Sequence, residues 1–367
     1  MAARQGTVGD GAGSQVARGS SAAPPAAPLP ATPATPAPAN GFPCSYFLDE
    51  QGTLRRNLSP RELAEVLAAG TGVLWVDVDT ADRHQCAVLD KVFRFHPLSV
   101  EDALNPRSRV KVEEFPNYLF LIVRGVRFRE ETDEDPYDTD TFNLDFFLGK
   151  NFVVTVHGAD SAAVDEMKHR VDRAPDLLAR GPGRMMHSIA DMAVDAYFPI
   201  VDQLDDFIDG LEERVFVGFD QSALRDIFSV KRLVLSLRRH LAPQREVFNV
   251  LTNRPSPFLT PDTQVYFRDV YDHVLRINDS LDTYRELLSS TLDSYLSQVS
   301  NRLAQVTKGL SVVATLSIPF VVISGMWGMN VEDIPGSHHP HAFVIMVVAQ
   351  LVLGVLLVAL LKLRGWL

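Results

Sequence analysis

The chain has 367 residues and a formal net charge of −11, and its length predicts two or three structural units. The acidic balance argues against nucleic acid as a partner, because binding nucleic acid requires a basic surface. Cys44 and Cys86 are the only cysteines, too few for a cysteine-based zinc framework. We interpret both as reduced, structural residues.

Residues 1–42 form an Ala- and Pro-rich tail that includes the run APPAAPLPATPATPAPA. Such a composition cannot bury a hydrophobic core, so we expect the tail to be disordered and exclude it from the fold. It also lacks the continuous apolar segment of a secretory signal.

Residues 43–260 are predicted to form one α/β and helical domain. Short β-branched or aromatic segments bounded by turn residues predict four strands, at 73–79, 118–127, 142–148 and 152–157. The turn at 149–151 predicts a hairpin between the last two strands. Two helices are predicted in the same region, at 60–69 behind a Ser59 cap and at 82–95, and an acidic loop at 129–140.

The hydrophobic period becomes helical after residue 160. Apolar residues at spacings of three and four predict helices over 187–216 and 221–252. Pro243 is expected to kink or interrupt the second helix, and prolines at 255, 257 and 261 mark a break after it.

A single long helix is predicted from Asp262 to about Gly325. Its apolar residues repeat at steps of three or four and form one continuous face: Val274, Ile277, Leu281, Tyr284, Leu288, Leu292, Tyr295, Val299, Leu303, Val306 and Leu310. At 1.5 Å per residue the helix would be roughly 95 Å long. Such a helix must pack against other helices or copies of itself, either as a plain coiled-coil stalk or as a stalk that conveys the cytoplasmic state to the membrane.

Two uncharged runs near the C-terminus are each long enough to cross a bilayer, which requires about 20 apolar residues. We place the first transmembrane helix at 309–327 and the second at 342–361, joined by a turn and loop at 328–341. The stalk is then 261–308, and a basic tail occupies 362–367.

Basic residues predict the orientation of these spans. Lys308 precedes the first span, Lys362 and Arg364 follow the second, and 331–341 contains no Lys or Arg. By the positive-inside rule both termini are cytoplasmic, and so is the domain at 43–260. Two helices cannot enclose a pore alone, so a channel would require an oligomer.

Gly328, Met329 and Asn330 form a GMN triplet immediately after the first span. With two terminal spans and a long preceding helix, this triplet resembles the signature of the CorA family of divalent-cation transporters. The resemblance extends through most of 45–367, notably 96–123, 145–157 and 266–286. It implies an α+β cytoplasmic domain with a mixed sheet flanked by helices, a stalk helix, and a funnel-shaped homopentamer in the plasma membrane.

The triplet offers groups suited to a hydrated cation. Mg²⁺ releases its water reluctantly, so a ring of Asn330 carboxamides could accept hydrogen bonds from its water shell without stripping it. Gly328 would permit a sharp turn, and Met329 is interpreted as a packing residue. Glu332 and Asp333 in the external loop either concentrate cations or are merely solvated. Three histidines of the loop suggest zinc more weakly: His338, His339 and His341.

Helical spacing counted back from Asn330 predicts one pore-lining face: Ala304, Thr307, Leu310, Ala314, Ile318, Val321 and Gly325. This mostly apolar lining would suit a hydrophobic constriction, which we place at Leu310. The chain departs here from many CorA members, which carry Asn, Met, Met and Thr in place of residues 304, 307, 318 and 321. This departure leaves the ion selectivity open.

The resemblance also implies regulatory cation sites between subunits, with Glu101 and Asp102 on one subunit and Asp269 on its neighbour. Facing carboxylates repel one another unless a cation bridges them, so bound Mg²⁺ would hold the assembly closed. Without the resemblance, these residues would be ordinary exposed charges. Aspartates at 202, 205, 206 and 209 are further candidates, whereas His157, His240 and His273 are interpreted as structural or solvated.

The sequence therefore predicts a channel for hydrated Mg²⁺, with Co²⁺ and Ni²⁺ as further candidate ions, and no organic cofactor. Neither a nucleotide-binding loop nor a catalytic dyad is recognisable, so no enzymatic activity is predicted. Two alternatives stay open, a zinc transporter on the same scaffold and a membrane-anchored scaffold that transports nothing.

Overall fold

The computed structural model describes residues 42–128, 139–158, 161–218, 220–329 and 338–366. The predicted disorder of the tail therefore concerns residues almost wholly outside the described part of the chain. The strands are β1 (Cys44–Leu48), β2 (Leu54–Arg56), β3 (Val73–Asp79), β4 (Lys111–Glu114), β5 (Leu119–Phe128), β6 (Thr139–Leu148) and β7 (Phe152–His157). The helices are α1 (Pro60–Ala69), α2 (Arg83–Lys91), α3 (Pro97–Leu104), α4 (Ala162–Arg173), α5 (Asp176–Ala179), α6 (Pro182–Asp195), α7 (Phe198–Val217), α8 (Gln221–Asn253), α9 (Pro261–Trp327) and α10 (Ala342–Leu363).

The strands form one mixed sheet in the order β2-β1-β3-β7-β6-β5-β4, in which only the β3–β7 pair is parallel. The predicted hairpin joins β6 to β7, and Gly149 donates its backbone N–H to the carbonyl of Phe152 (2.8 Å). A Cβ on Gly149 would lie 2.1 Å from the Phe152 ring, so glycine is required at this position. The predicted α+β class with a mixed sheet is confirmed.

Each face of the sheet is buried by a different set of helices. On one face, Phe120, Phe147 and Val154 pack with apolar residues of α1, α2 and α3. On the other, Trp75 and Phe146 belong to a core that continues through α6, α7 and α8 to α9. Strands buried on both faces have nearly continuous apolar sequences, which is why they were recognisable in the sequence.

Three helix predictions are corrected by the structure. The helix expected at 187–216 is two helices, because Pro199 lies in the first turn of α7, where its missing N–H is tolerated, and the chain turns at 196–197 before it. The helix expected at 82–95 ends at Lys91, and Arg94 adopts a positive φ of 53° in the loop that follows. Pro243 does not interrupt α8, which continues through it to Asn253.

The predicted acidic loop at 129–140 is also partly corrected, because Thr139 and Asp140 already belong to β6, paired with β5. Residues 129–138 lie outside the described part of the chain. Strands β1, β2 and β4 were not predicted, because β2 and β4 are only three and four residues long and lie at the sheet edges.

The long helix is confirmed as α9, a single element of 67 residues and about 100 Å. Its apolar face is buried against α7 and α8 as far as Tyr295. Beyond that point the same face is uncovered in the single chain, where Leu303, Val306 and Leu310 are 66%, 64% and 69% exposed. The exposed part requires a partner that one chain does not supply, either lipid or other copies of the helix.

One carboxyl is buried in the sheet without a compensating partner. Asp145 on β6 is 1% exposed, and its Oδ1 has no hydrogen-bond partner. Burial raises the pKa of Asp145 well above its usual range, and the charges of Arg124 and Lys111 only partly oppose this shift. Because the folded-state pKa is raised, folding favours the protonated form. The stability of the fold therefore falls as pH rises from about 4, the unfolded value, through the folded-state pKa.

We expect Asp145→Asn to raise the midpoint of thermal unfolding at neutral pH by about 2–4 °C, since a neutral amide needs neither a buried charge nor the uptake of a proton on folding. The measurement is thermal unfolding of the detergent-solubilised protein between pH 4 and pH 8. Asp140→Asn is the matched control on the same strand, because Arg127 binds its carboxylate at 3.0 Å. A midpoint that is unchanged or lower in Asp145→Asn would contradict the buried-charge interpretation.

Candidate functional site

Among the described residues, two helices are long and apolar enough to cross a membrane, the C-terminal part of α9 and the whole of α10, with mean hydropathies of 1.9 and 3.0. They pack against each other through small and polar groups. Gln350 of α10 donates its side-chain N–H to Ser324 Oγ of α9 at 3.0 Å. Gly354 lies against the ring of Phe320, and a Cβ there would come within 2.7 Å of that ring. Small residues and interhelical hydrogen bonds are the usual basis of helix association in lipid.

Five of the seven predicted pore-lining residues lie away from α10 and its C-terminal end, whereas Ala304 and Thr307 line a cavity together with Arg364, Gly365 and Trp366. The side of α9 that contacts α10 carries Val312, Phe320 and Ser324. At about 100° per residue, the face formed by the predicted positions is centred about 145° around the helix from that side. Ala314 is partly buried, and the six others are exposed in the single chain. From Leu310 to Gly325 this arrangement leaves the predicted face free for other copies of α9, and pore lining itself stays a prediction.

The beginning of the GMN triplet terminates α9. Gly328 caps the helix with φ −85° and ψ −4°, and its N–H bonds to the carbonyl of Ser324 at 3.0 Å. The expected use of glycine for a sharp turn is therefore not seen as a positive φ. Met329 is 59% exposed within the described part of the chain. Asn330, Glu332 and Asp333 lie outside the described residues, so their predicted roles stay predictions.

The loop histidines are close together but lack the arrangement of a metal site. The rings of His339 and His341 are 6.0 Å apart. One ring nitrogen of His339 is already used, because Nδ1 accepts the backbone N–H of His341 at 3.2 Å. Within the described ranges, only one group of His, Cys, Asp or Glu side chains could together hold a metal ion, and it lies elsewhere.

That group joins α6 to α9 and contains Asp191, Asp195 and His273, whose ligand atoms all lie within 4.8 Å of one another. Asp195 Oδ1 is 2.9 Å from His273 Nδ1. One helical turn before His273, the predicted regulatory residue Asp269 places its Oδ1 3.9 Å from His273 Nε2. These four side chains, here named the acidic cluster, bring three carboxylates around one imidazole.

The electrostatics of the acidic cluster favour a cation. Burial raises the pKa of Asp191 to about 6, and the negative charges of Asp195 and Asp269 add to the shift. The Oδ1 atom of Asp191 is buried and has no hydrogen-bond partner. The side chain of Asp269 is 71% exposed, so a neighbouring molecule can reach it. A divalent cation would neutralise this concentration of charge and supply the missing partner.

The other predicted regulatory residues occupy α3. Glu101 is exposed. Asp102 is already engaged within the chain, since Lys111 Nζ lies 2.7 Å from Oδ2 and Ser108 Oγ lies 3.2 Å from Oδ1. Asp102 and Asp269 thus belong to different local clusters within one chain. Their predicted contact across a subunit interface stays a prediction.

Sequence reasoning missed the involvement of Asp191 and Asp195 and assigned His273 no functional role. Asp195 and His273 are 78 positions apart in the sequence, so no local motif contains both. A signal did exist, because Asp191/Asp195 and Asp269/His273 are both pairs at i and i+4. That spacing places each pair on one helix face.

Comparison with known proteins identifies the family. A family model described as CorA-like Mg²⁺ transporter protein matches residues 70–363, most of the chain. The chain belongs to the CorA-like Mg²⁺ transporter family. It is 31% identical over 297 residues to the cobalt/magnesium transport protein CorA of Thermotoga maritima, covering 80% of this chain and 83% of that protein.

Solved structures of CorA relatives share the fold. The complete structure of the CorA magnesium transporter from Methanocaldococcus jannaschii superposes with a TM-score of 0.76 at 21% identity, covering 89% of this chain and 99% of that chain. Full-length CmaX gives a TM-score of 0.70 at 20% identity over 87% of this chain and 98% of that one. The predicted family and fold are therefore confirmed, including the long helix and the C-terminal apolar helix.

Membership of the CorA family settles the class of function. The chain is a divalent metal ion transporter of the membrane and not an enzyme, as the sequence predicted. The family assignment decides against the alternative of a scaffold that transports nothing.

Proposed function

We propose that the chain is one subunit of a Mg²⁺ channel that is driven by the membrane potential and closed by cytoplasmic Mg²⁺ bound between subunits. The observation that carries this proposal is the continuity of α9. One unbroken helix leads from the acidic cluster at Asp269 to the GMN triplet at Gly328. Similarity to the cobalt/magnesium transport protein CorA of Thermotoga maritima supports the choice of ion.

The pore is formed by copies of α9 arranged around the predicted face. In this arrangement Asn330 carboxamides ring the outer mouth and accept hydrogen bonds from the water shell of Mg²⁺. Below them, the face becomes apolar, and Leu310 forms the narrow point. An apolar constriction closes by losing its water, so a small tilt of α9 would suffice to open or close it.

The acidic cluster acts as the cytoplasmic sensor. With Mg²⁺ bound, its carboxylates are neutralised and Asp269 is held toward its neighbour, where Glu101 and Asp102 complete the site. When the ion leaves, repulsion among the carboxylates loosens the interface. Asp269 precedes Lys308 by 39 residues, so α9 transmits the movement over roughly 58 Å to the start of the span.

Orientation follows from the basic residues. Lys308 Nζ bonds to the backbone carbonyl of Gly365 at 2.9 Å, which places the start of the first span beside the end of the second. Lys308, Lys362 and Arg364 then share the cytoplasmic side of the plasma membrane, as the positive-inside rule requires. Inward movement of a dication at −100 mV is favourable by roughly 4.6 kcal/mol, so no ATP is needed.

The test is ion influx into proteoliposomes that contain the purified protein and carry an inside-negative potassium diffusion potential. We expect Mg²⁺ influx that increases with the potential and vanishes when the potential is collapsed. Influx of Zn²⁺ in place of Mg²⁺ would favour the zinc alternative. Absence of potential-dependent influx of both ions would overturn the proposed channel mechanism.

Lys111 provides a test of the predicted role of Asp102. Its Nζ lies within 2.9 Å of both Asp102 and Glu113, so it competes with any cation for these carboxylates. We expect Lys111→Met to lower the cytoplasmic Mg²⁺ concentration that halves the flux by about two- to fivefold, in line with a partly exposed ion pair worth up to ~1 kcal/mol. Lys150→Met, in the exposed β6–β7 turn, is the control. An unchanged half-inhibiting concentration in Lys111→Met would argue against Asp102 as a ligand.

A further inference from the structure

We propose that the end of α7 forms an apolar foot that rests on the lipid bilayer at its cytoplasmic surface. This foot consists of Phe216 and Val217, the last two residues of α7, which are 69% and 83% exposed. Two adjacent large apolar side chains, presented outward at the end of a helix, are unfavourable in water and indicate a partner. Family membership and the position of the spans support the inference, which does not depend on the identity of the transported ion.

Contacts along α7 show that it runs toward the membrane. Near its beginning, the Val201 carbonyl accepts the hydroxyl of Tyr284 at 3.2 Å. Near its end, the Val215 carbonyl accepts the side-chain N–H of Gln298. Since later residues of α7 contact later residues of α9, the two helices are parallel, and the foot points in the same direction as the first span.

The distance to the bilayer is short. Val215 contacts α9 at Gln298, and the uncharged span begins at 309, so about 16 Å of helix separates these levels. Two further residues of α7 reduce the separation to about 13 Å. The headgroup layer extends about 5–8 Å beyond the hydrocarbon core on each side. The remaining gap is about the length of a phenylalanine side chain.

The foot also lies on the outer side of the stalk. Gln298 and Thr291, which contact α7, point to the same side of α9 as Val312, which is buried beneath α10. The centre of the proposed pore face, near Thr307 and Ala314, is on the opposite side of α9. Copies assembled around the pore therefore leave the foot on the side of the lipid.

The foot is held in place by ion pairs that tie α7 to α8. Arg214 binds Asp220 at 2.6 Å and Asp226 at 2.8 Å, and its guanidinium also donates to Ser222 Oγ at 2.7 Å. The local charge is acidic, because Asp220 and Asp226 outnumber Arg214 and because Glu213 is exposed beside the foot. An acidic neighbour excludes attraction to anionic headgroups as the basis of the contact. The proposed partner is therefore the headgroup layer of the bilayer, where apolar side chains can insert between zwitterionic lipids.

The test uses site-directed spin labelling of the full chain in phosphatidylcholine nanodiscs. Val217→Cys is labelled with a nitroxide in a Cys44→Ala, Cys86→Ala background, and its collision rates with oxygen and with chromium oxalate are compared. Val265→Cys is the matched control, because Val265 is an exposed valine of α9 (58%) located 44 residues before the span. Since oxygen concentrates in lipid and chromium oxalate in water, their ratio reports the environment of each label.

We expect a higher oxygen-to-chromium ratio at 217 than at 265, unchanged when anionic phosphatidylglycerol is added. Equal ratios at the two positions would overturn the proposal by showing that the foot stays in water. Protection of the label at 217 from both reagents would also overturn it, because the foot would then be covered by another subunit. Neither outcome affects the flux measurement, so failure of this inference is distinguishable from failure of the channel proposal.

Discussion

Asn330→Ala is expected to abolish Mg²⁺ flux while leaving assembly intact. Alanine removes the carboxamide oxygen proposed to accept hydrogen bonds from the ion's water shell, and no other side chain of the triplet offers oxygen. Because Mg²⁺ exchanges its water reluctantly, an unlined mouth would provide no favourable site for the hydrated ion. Flux is measured in proteoliposomes at an inside-negative potential, and assembly by gel filtration in detergent.

Met329→Leu is the matched control for this prediction. Met329 precedes Asn330, is exposed in the single chain, and has no oxygen to offer, so leucine should preserve flux. Equal loss in both variants would indicate a damaged turn and not a missing ligand. Robust flux in Asn330→Ala would remove Asn330 as the filter.

Asp269→Lys is expected to make flux much less sensitive to cytoplasmic Mg²⁺. In the native chain the Asp269 carboxylate lies 3.9 Å from His273 Nε2. The substitution replaces this carboxylate of the acidic cluster with a fixed cation. Like charge would then oppose binding of a dication, and the lysine would neutralise Asp191 and Asp195 at all Mg²⁺ concentrations. Flux is recorded as internal free Mg²⁺ is raised, and the inhibition curve should flatten.

Asp262→Lys provides the control for charge reversal. Asp262 is exposed in the first turn of the same helix, outside the acidic cluster. Its reversal should leave the inhibition curve in place. An unchanged curve in Asp269→Lys would count against Asp269 as a regulatory ligand, whereas flattening in both variants would indicate a general effect of surface charge.

The elements that could be predicted from sequence are those whose signal is local. The long helix was recognisable because its apolar face repeats without a break from Val274 to Leu310, and the spans because they contain no charge. The four predicted strands were recognisable because burial on both faces makes them apolar throughout. In the same way, Gly149 marked the hairpin between β6 and β7.

Features that depend on tertiary contacts could not be predicted in this way. The acidic cluster forms only because α6 packs against α9, which brings Asp195 and His273 together across 78 positions. The break between α6 and α7 was missed because the helical period continues across Tyr197, a fully buried residue whose hydroxyl donates to the carbonyl of Arg124 at 2.9 Å. The ion pair between Asp102 and Lys111 could not be predicted either, because it depends on the position of β4 beside α3.

The central claim is that cytoplasmic Mg²⁺ closes a pore through which Mg²⁺ enters. The most direct test is Mg²⁺ influx through the wild-type protein in proteoliposomes at a fixed inside-negative potential, as the internal free Mg²⁺ is raised stepwise. We predict influx that is large without internal Mg²⁺ and falls more steeply than the diminishing gradient explains. Influx that follows the electrochemical gradient alone, or no influx even without internal Mg²⁺, would contradict the claim.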